Sequence, residues 1–311
     1  MVRKAQKRWA RPGDPDSWRR EYDLYQSNLE ALFTSDLRRP KCCHSALWDD
    51  KTELWLEYID GVSGAELTIE MLEQAALAFG RFQGRVSAWY DAARPISGLG
   101  DRGFFMREFN QWHTQTFSYD YLISGLCRMP EFIKEMLKNG SIRLVDGKSF
   151  EYGCLRSSGC GLPEDLKKMI MDIDERKDDI FKRQNKLPVV LCHRDFWHEN
   201  IFFTDGGIRL IDWDTAGWGF PGEDIASLIA DEMPAERLEE NYNRLVPAYV
   251  SGLSENKNAP AVEEMGILDM ILMKFGYRMV QEYMFAETNG EKDRVVNALT
   301  KIYELKKTNG L

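Results

Sequence analysis

The sequence has 311 residues, of which 43% are hydrophobic and 29% are charged, and its formal net charge is −9. A chain of this length can bury a large core and can hold one large domain or two smaller ones, and the composition is ordinary for a soluble globular protein. The acidic balance argues against non-specific binding to nucleic acid and mildly favours cationic ligands.

The N-terminal residues lack the apolar core of a signal peptide, and nowhere do 18 uncharged apolar residues follow one another. The 6 cysteines include no C-x-x-C pair, and two of them, Cys42 and Cys43, are adjacent. Adjacent cysteines favour a reducing compartment over a disulfide framework. We therefore expect a cytoplasmic protein without a membrane partner.

The first sixty residues predict a strand, a helix and a second strand. Residues 2–9 predict a short charged strand, and a helical pattern of aromatic and leucine residues begins at Asp16. The apolar segment 54–59 predicts the second strand, which Asp60 and Gly61 end.

Most of the remaining chain shows helical periodicity. A long amphipathic helix is predicted from Thr68, and the glycine-rich segment 140–163 predicts a loop or a small hairpin. The other helical patterns cover residues 102–138, 164–185, 261–288 and 291–307, with a further helix opening near Pro234.

A polar segment flanked by short strands, residues 189–226, interrupts the helical pattern. The apolar run 189–192 predicts a buried strand, and His193, Asp195 and Asn200 follow in the pattern H-x-D-x-x-x-x-N. Residues 201–203 and 208–213 predict a hairpin with its turn at 205–207. Such a hairpin would bring Asp212 beside Asn200.

This arrangement suits a divalent cation bound to nucleotide phosphates. Mg²⁺ prefers hard oxygen ligands and commonly takes one or two protein groups together with phosphate oxygens and water. Asn200 and Asp212 would supply these ligands. Asp195 would then accept a hydrogen bond, and later a proton, from an acceptor hydroxyl, because phosphoryl transfer depends mainly on positioning and charge neutralisation.

The segment HRDFWHEN followed by LIDWD resembles the catalytic and metal loops of the kinase-like phosphotransferases, in particular the aminoglycoside phosphotransferase and choline kinase superfamily. The resemblance implies an α+β, two-lobed protein-kinase-like fold with Asp195 as the catalytic base and Asn200 and Asp212 as magnesium ligands. Protein kinases carry a similar site, but they insert a long activation segment that this chain lacks after Asp212. A small-molecule acceptor is therefore favoured over a protein.

The resemblance also assigns nucleotide-binding residues in the first sixty positions. Lys4 would hold the α- and β-phosphates and Glu21 would orient it by an ion pair, although Lys7 competes for the lysine role. Glu57 and Ile59, in the hinge segment 57–61, would meet the adenine edge.

In the resembling family two strands and a phosphate-covering turn precede the lysine strand, whereas here Met1 stands almost directly before it. We expect a reduced N-terminal lobe over residues 1–60, without the glycine-rich loop strands. Residues 61–311 would form a helix-rich lobe with the catalytic and acceptor-binding residues.

Several neighbouring residues have less specific predictions. Asp224 is predicted to cap the helix that begins beside it, and in the family the matching Asp also braces the catalytic loop. Asp214 is either a second metal contact or a solvated carboxylate. His193 is predicted to stabilise the loop through a bond from its ring to nearby backbone, and Arg194 to pair with a neighbouring carboxylate. Two further side chains point to the acceptor or to the core: Trp197 and His198.

The resemblance predicts Mg²⁺-dependent transfer of the γ-phosphoryl of ATP or GTP to a hydroxyl of an aminoglycoside or other antibiotic, choline or a sugar. Four carboxylates would be available to a cationic acceptor, and each of them is alternatively an ordinary surface residue: Asp231, Glu232, Glu282 and Glu287. The alternative hypothesis is a nucleotide-binding or scaffold protein of kinase descent that is impaired in catalysis.

Overall fold

A computed structural model describes residues 1–8, 14, 16–92, 96, 98–113, 116–118, 138, 142–145, 149–152, 161–256 and 259–309. It contains both sheets and helices, so the predicted α+β class is confirmed. The chain divides into two compact units. The first comprises residues 1–105, 182–231 and 240–267, and the second comprises residues 106–181, 232–239 and 268–311. The predicted lobe boundary near residue 60 stays a prediction.

The strands of the first unit form three small sheets. β1, β4 and β3 form an antiparallel sheet in the order β1-β4-β3, the second sheet has the order β2-β11-β10-β5, and β12 pairs with β9. The bounds are β1 Val2–Lys7, β2 Leu37–Arg38, β3 Cys42–Leu47, β4 Lys51–Leu56, β5 Val62–Ser63, β9 Val190–Cys192, β10 Ile201–Thr204, β11 Gly207–Leu210 and β12 Gly217–Gly219.

The helices follow the predicted amphipathic segments closely. Their bounds are α1 Ser17–Gln26, α2 Ile69–Ala92, α3 Gly103–His113, α4 Glu164–Gln184, α5 Glu223–Ala230, α6 Ala235–Ser254, α7 Val262–Met265, α8 Ile267–Ile271, α9 Tyr277–Phe285 and α10 Asn289–Thr308. Short 3₁₀ turns cover Asn28–Leu32, Gly64–Glu66, His198–Asn200 and Trp213–Thr215. No helix among these described residues is long and apolar enough to span a membrane.

Three predictions about the elements need correction. The predicted strand 54–59 is β4 at 51–56, and its partner β3 was missed because Cys42–Leu47 has no regular alternation of apolar and polar residues. The predicted single helix over 261–288 is interrupted at Gly266, which has φ 60°, and by a π-helical turn at Leu272–Gly276. Of the helical pattern predicted over residues 102–138, residues 103–113 form α3, residues 116–118 form a strand instead, and residues 114–115 and 119–137 lie outside the described residues.

Stacked aromatic rings fill the core of the first unit. Phe79 of α2 stacks on Phe196 with ring centroids 4.2 Å apart, and Phe82 of α2 stacks on Phe33 at 4.8 Å. The Trp213 ring meets both Phe33 and Phe82 edge-on. Phe196 and Trp213 belong to the segment predicted to carry the chemistry, so that segment packs directly against α2.

The second unit contains its own small sheet and a buried ion pair. β6 Thr116–Ser118, β7 Ile142–Val145 and β8 Ser149–Tyr152 form an antiparallel sheet in the order β6-β8-β7, so strands occupy part of the segment predicted as a loop or hairpin. The buried Lys306 ammonium of α10 lies 2.5 Å from Asp269 Oδ1.

Helix α10 begins with a reciprocal capping interaction. Glu291 N–H donates to Thr288 Oγ1 at 3.2 Å, and Thr288 N–H donates to Glu291 Oε2 at 3.1 Å. Thr288→Ala leaves the Glu291 N–H without its side-chain partner and is expected to lower the free energy of unfolding by about 1 kcal/mol. Urea denaturation followed by circular dichroism measures this loss.

Thr300 of the same helix is the matched control, because its hydroxyl bonds back to the Val296 carbonyl inside the helix. Alanine has the higher helix propensity at such an interior position, so Thr300→Ala should leave stability unchanged or raise it slightly. Equal losses in the two variants would contradict the capping assignment.

Candidate active site

A partly buried ion-pair cluster joins β1, α1 and the turn that follows β11. The Lys4 ammonium lies 2.6 Å from Glu21 Oε2 and 2.6 Å from Asp212 Oδ1. Side chains alternate along a strand, so Lys7 lies on the opposite face of β1 from Lys4, and Lys7 is exposed. The structure therefore brings Lys4, Glu21 and Asp212 together, and Lys7 points away from Glu21.

Burial governs the protonation of this cluster. Glu21 is 3% exposed, and burial raises the pKa of its carboxyl although the charge of Lys4 acts in the opposite direction. Burial acts to lower the pKa of Lys4, but the carboxylates of Glu21 and Asp212 together raise it above its ordinary value. Glu21 Oε1 also accepts the Trp213 N–H at 3.3 Å, so this residue holds both the lysine and the turn beside Asp212.

The loop between β9 and β10 fixes Asp195 through Asn200. The side-chain nitrogen of Asn200 donates to Asp195 Oδ2 and to the Asp195 backbone carbonyl, both at 2.8 Å. Because both bonds use the amide nitrogen, the amide oxygen of Asn200 is the atom available to a cation. Asp195 is half-buried.

The β10–β11 hairpin, with its turn at 205–206, confirms the strand prediction for this segment. Ile211 N–H donates to the Asn200 carbonyl at 3.0 Å, so the next residue, Asp212, emerges beside Asn200. Asp212 has φ 62°, a left-handed conformation that turns the chain out of β11 into the Trp213–Thr215 turn. Its side chain is 42% exposed and can reach a ligand.

The chemistry of these side chains fits magnesium bound together with a nucleotide. An amide oxygen and a carboxylate are hard oxygen ligands, and Mg²⁺ needs only one or two such groups when phosphates and water complete its shell. Across the part of the chain that the structure describes, no group of three or more His, Cys, Asp or Glu side chains is arranged to hold a metal ion. Asn200 and Asp212 would therefore hold the ion jointly with phosphate oxygens.

Asp224 does not cap its helix, contrary to the prediction. The residue before α5 is Gly222, and Asp224 is the second residue of the helix. Its carboxylate instead accepts the backbone N–H groups of Arg194 at 2.6 Å and His193 at 3.1 Å. The Asp224 side chain thus holds the start of the loop between β9 and β10, and Gly222, the residue before α5, has a left-handed φ of 97°.

His193 and Arg194 make the loop-stabilising contacts that the sequence suggested. His193 Nε2 lies 2.9 Å from the Ile211 carbonyl, and burial lowers the pKa of His193 to about 4. Arg194 has φ 70°, and its guanidinium donates to the backbone carbonyls of Asp101 at 2.8 Å and Trp218 at 2.9 Å. Arg194 Nε also lies 3.5 Å from Glu223 Oε1, so the expected neighbouring carboxylate is present together with these backbone carbonyls.

The predicted hinge residues lie where β4 leaves the sheet. Glu57 N–H donates to the Lys41 carbonyl at 2.8 Å, and the Glu57 carboxylate accepts the Lys41 N–H at 3.0 Å. Ile59 is half-buried, and Tyr58 between them is 65% exposed. Contact of Glu57 and Ile59 with an adenine edge stays a prediction.

The contact between Gln6 and Asp214 was not predicted, because no motif in the sequence indicates it. Gln6, two residues after Lys4 on the same face of β1, donates to Asp214 Oδ2 at 3.3 Å. Asp214 likewise follows Asp212 by two residues. The two β1 side chains therefore hold two successive carboxylates of the turn after β11, and Asp214 is bound to protein rather than only solvated.

The four carboxylates considered for the acceptor have varied surroundings. Within the second unit, Arg278 lies 3.4 Å from Glu232 and 3.3 Å from Glu282. Burial raises the pKa of Glu282 although Arg278 acts in the opposite direction. Asp231 belongs to the first unit and Glu287 to the second. An acceptor role for any of them stays a prediction, as do the placements of Trp197 and His198, whose rings pack edge-on with centroids 5.0 Å apart.

Comparisons with known proteins agree with the fold and with the geometry of this site. Residues 150–256 match the model of the Phosphotransferase enzyme family. The fold is similar to that of choline kinase from Cryptosporidium parvum Iowa II, with 15% identity, coverage of 93% of this chain and 78% of that chain, and a TM-score of 0.51.

Two further solved structures share the fold. The microcompartment-associated aminopropanol kinase is 16% identical over 99% of this chain and 86% of its own, with a TM-score of 0.52. An aminoglycoside phosphotransferase from Alicyclobacillus acidocaldarius is 14% identical over 98% of this chain and 87% of its own, with a TM-score of 0.51. No curated protein sequence gives a significant match. The predicted kinase-like fold is confirmed. The family match over residues 150–256 supports the predicted superfamily and the prediction of a phosphotransferase enzyme.

Removal of the Lys4 charge should lower the stability of the protein, because the buried Glu21 carboxylate loses its partner. Lys4→Met leaves the Glu21 carboxylate without its cation, and we expect a loss of about 2 kcal/mol in the free energy of unfolding near pH 8. The pKa of Glu21 is already raised in the folded state, so protonation relieves this cost, and the loss should shrink as the pH falls toward about 5.5. Urea denaturation at both pH values measures it.

The double variant Lys4→Met/Glu21→Gln is the control, because it removes the buried charge together with its partner. It should recover most of the stability lost near neutral pH. A loss in Lys4→Met that is the same at both pH values, or that the second substitution deepens, would contradict the ion-pair assignment.

Proposed function

We propose that this protein transfers the γ-phosphoryl group of ATP, with Mg²⁺, to a hydroxyl of a small molecule. The observation that carries the proposal is the assembly of Asp195, Asn200 and Asp212 with the Lys4–Glu21 ion pair in one compact unit. Phosphoryl transfer requires little more than a positioned hydroxyl acceptor, a cation bound to the phosphates and a lysine that neutralises their charge.

In this proposal Lys4 binds the α- and β-phosphates, and Glu21 keeps the ammonium in place. The buried Glu21 side chain is held from a second direction by Trp213 N–H, so the lysine is anchored to the turn that carries Asp212. The Lys4 and Glu21 side chains and the Trp213 N–H group would then fix the position of the phosphates relative to Asp212.

Asn200 and Asp212 would hold the magnesium ion. When bound, Mg²⁺ neutralises charge on the phosphate oxygens. The same Asn200 side chain keeps its amide nitrogen on Asp195 Oδ2 at 2.8 Å, so one residue links the metal site to the base. Asp195 accepts the hydrogen bond of the acceptor hydroxyl through its carboxylate. It takes the hydroxyl proton as the new O–P bond forms and the bond from the γ-phosphorus to the β–γ bridging oxygen breaks, which releases ADP.

For the acceptor we propose a small molecule that carries both a hydroxyl and an amine. The solved neighbours are a choline kinase, an aminopropanol kinase and an aminoglycoside phosphotransferase, and the net charge of −9 favours a cationic acceptor. ATP is the nucleotide of this proposal, since no comparison supports GTP. We place the reaction in the cytoplasm, where ATP is available, and the described free cysteines Cys42, Cys43 and Cys192 suit a reducing compartment.

The alternative, a scaffold of kinase descent without chemistry, is less well supported. A protein that only binds nucleotide has no physical need for a base held by an amide beside two metal-ligand positions. The intact contacts of Asp195 with Asn200 therefore favour an enzyme.

Asp195→Asn should lower kcat by about 10²- to 10⁴-fold, because the amide cannot accept the acceptor proton. Transfer of ³²P from [γ-³²P]ATP is measured with choline, ethanolamine, aminopropanol, aminoglycosides and sugars as acceptors, and with GTP in parallel. Asp205→Asn, in the exposed hairpin turn, is the matched control and should retain wild-type activity. Absence of transfer to every acceptor, with both nucleotides, would overturn the proposal.

Asp212→Asn should weaken nucleotide binding in the presence of Mg²⁺ much more than in EDTA, because the loss of the metal ligand acts only with Mg²⁺, whereas the loss of the Lys4 contact acts in both conditions. Isothermal titration calorimetry with the non-hydrolysable analogue AMP-PNP measures both affinities. A Mg²⁺ dependence that matches wild type would remove Asp212 from the metal site.

A further inference from the structure

Two buried polar side chains lie behind the catalytic loop and have no place in the proposed chemistry. Gln83 of α2 is 1% exposed and Tyr249 of α6 is fully buried. Buried polar groups are expensive unless every donor and acceptor finds a partner, so their partners indicate what they hold.

Gln83 connects three elements through its side-chain amide. Its nitrogen donates to the Leu191 carbonyl at 2.9 Å and to Asp224 Oδ2 at 3.1 Å, and its oxygen accepts the Tyr249 hydroxyl at 2.6 Å. The Tyr249 oxygen in turn accepts the Gly222 N–H at 3.3 Å. Since the tyrosine proton is directed to the amide oxygen, the amide nitrogen must face Leu191 and Asp224.

The hydrogen-bond chain from Tyr249 through Gln83 ends at the Asp224 carboxylate, which holds the catalytic loop. Asp224 receives the N–H groups of His193 and Arg194, and Gln83 supplies a third donor to the same carboxylate. The third bond fixes the rotation of the carboxylate about its side chain. The bond from Gln83 to Leu191 fixes the strand end from which the loop departs.

The same helix holds the residue that follows the catalytic base. Phe79, four residues before Gln83 on α2, stacks on Phe196 at 4.2 Å. Asp195 therefore lies between two segments that α2 positions: residues 193–194 through Asp224, and Phe196 by direct stacking. Two glycines permit the close helix packing behind this arrangement, because a Cβ at Gly80 would collide with the Tyr249 carbonyl and one at Gly252 with the Leu77 carbonyl.

We propose that Gln83 and Tyr249 are positioning residues of the active site, which orient Asp224 and, through it, the loop that carries Asp195. The proposal rests on the proposed phosphotransferase function and adds two residues that touch neither nucleotide nor acceptor. A base displaced by a fraction of an ångström loses its alignment with the acceptor hydroxyl, so a fault in this hydrogen-bond chain reduces turnover more than binding.

Gln83→Leu retains side-chain volume but removes both donors and the acceptor. We expect kcat to fall by about 10- to 100-fold while KM for ATP changes less than about threefold. Tyr249→Phe should lower kcat in the same direction, and the double variant should lose less than the product of the two single effects, because both act through one chain. Leu72→Ala, a core substitution on α2 three turns earlier, is the control for lost packing and should retain kcat.

Gln83→Glu distinguishes positioning from simple damage. Among the described residues, the titratable side chains hydrogen-bonded to Gln83 are those of Asp224, Tyr249 and Cys192, and burial raises the pKa of both Tyr249 and Cys192. A glutamate there can donate to Asp224 only when protonated, and ionised it repels that carboxylate. The ratio of the variant kcat to the wild-type kcat should therefore fall as the pH rises from about 6 to about 8.5.

Hydrogen–deuterium exchange tests whether the hydrogen bonds of Gln83 hold the loop, and it does not depend on measuring activity. Gln83→Leu should accelerate exchange at residues 191–196, and Leu72→Ala should leave this segment unchanged. Wild-type exchange and wild-type kcat in Gln83→Leu, or a pH-independent ratio in Gln83→Glu, would overturn the proposal. Failure of wild type to transfer phosphoryl from ATP would sink the phosphotransferase function instead, while exchange would still decide whether Gln83 holds the loop.

Discussion

The candidate active site depends on one constraint: the buried carboxylate of Asp224 must be hydrogen-bonded. A carboxylate that is 1% exposed is tolerated only when donors replace the water it has lost. Here two of the donors are consecutive backbone N–H groups, those of His193 and Arg194. The same two hydrogen bonds therefore compensate the burial of the carboxylate and fix the backbone of the loop at residues 193–194.

The remaining parts of the site are arranged around that fixed loop. Asn200 closes it by bonding to Asp195, and the hairpin returns the chain so that Asp212 stands beside Asn200. Lys4 and Gln6 then reach the carboxylates of the turn from β1. Charges of both signs are therefore held in fixed positions around a partly buried site, and fixed dipoles and charges of this kind are what preorganised electrostatics requires.

Local patterns predicted much of this arrangement. The turn residues at 205–207 and their flanking apolar runs defined the hairpin, and hairpin geometry alone placed Asp212 near Asn200. The pairing of Lys4 with Glu21 followed from the family resemblance, because no periodicity in the sequence relates two residues on different elements.

Long-range packing explains what the sequence could not supply. Gln83 sits among apolar residues on an amphipathic helix, where a polar residue carries no indication of a partner 141 positions away. Asp224 has the residue type and position of an N-cap, whereas in the structure its carboxylate bonds to the loop. Strand β3 was missed since its cysteine, histidine and serine residues lack alternation. The interruption at Gly266 depends on its φ of 60°, which composition does not specify.

The pairing of β1 with β4 gives Glu21 a role in selecting the correct register. In the observed pairing Lys4 stands opposite Leu54. Lys4 contacts Glu21 of α1, and Gln6, on the same face of β1, contacts Asp214. Because side chains alternate, a slip by one residue would turn Arg3 or Ala5 toward α1 and both polar side chains away. Glu21 would then be buried without its lysine, so the mispaired strand would be penalised by an uncompensated charge. The Lys4–Glu21 ion pair thus also favours the correct pairing of the first strand with its sheet.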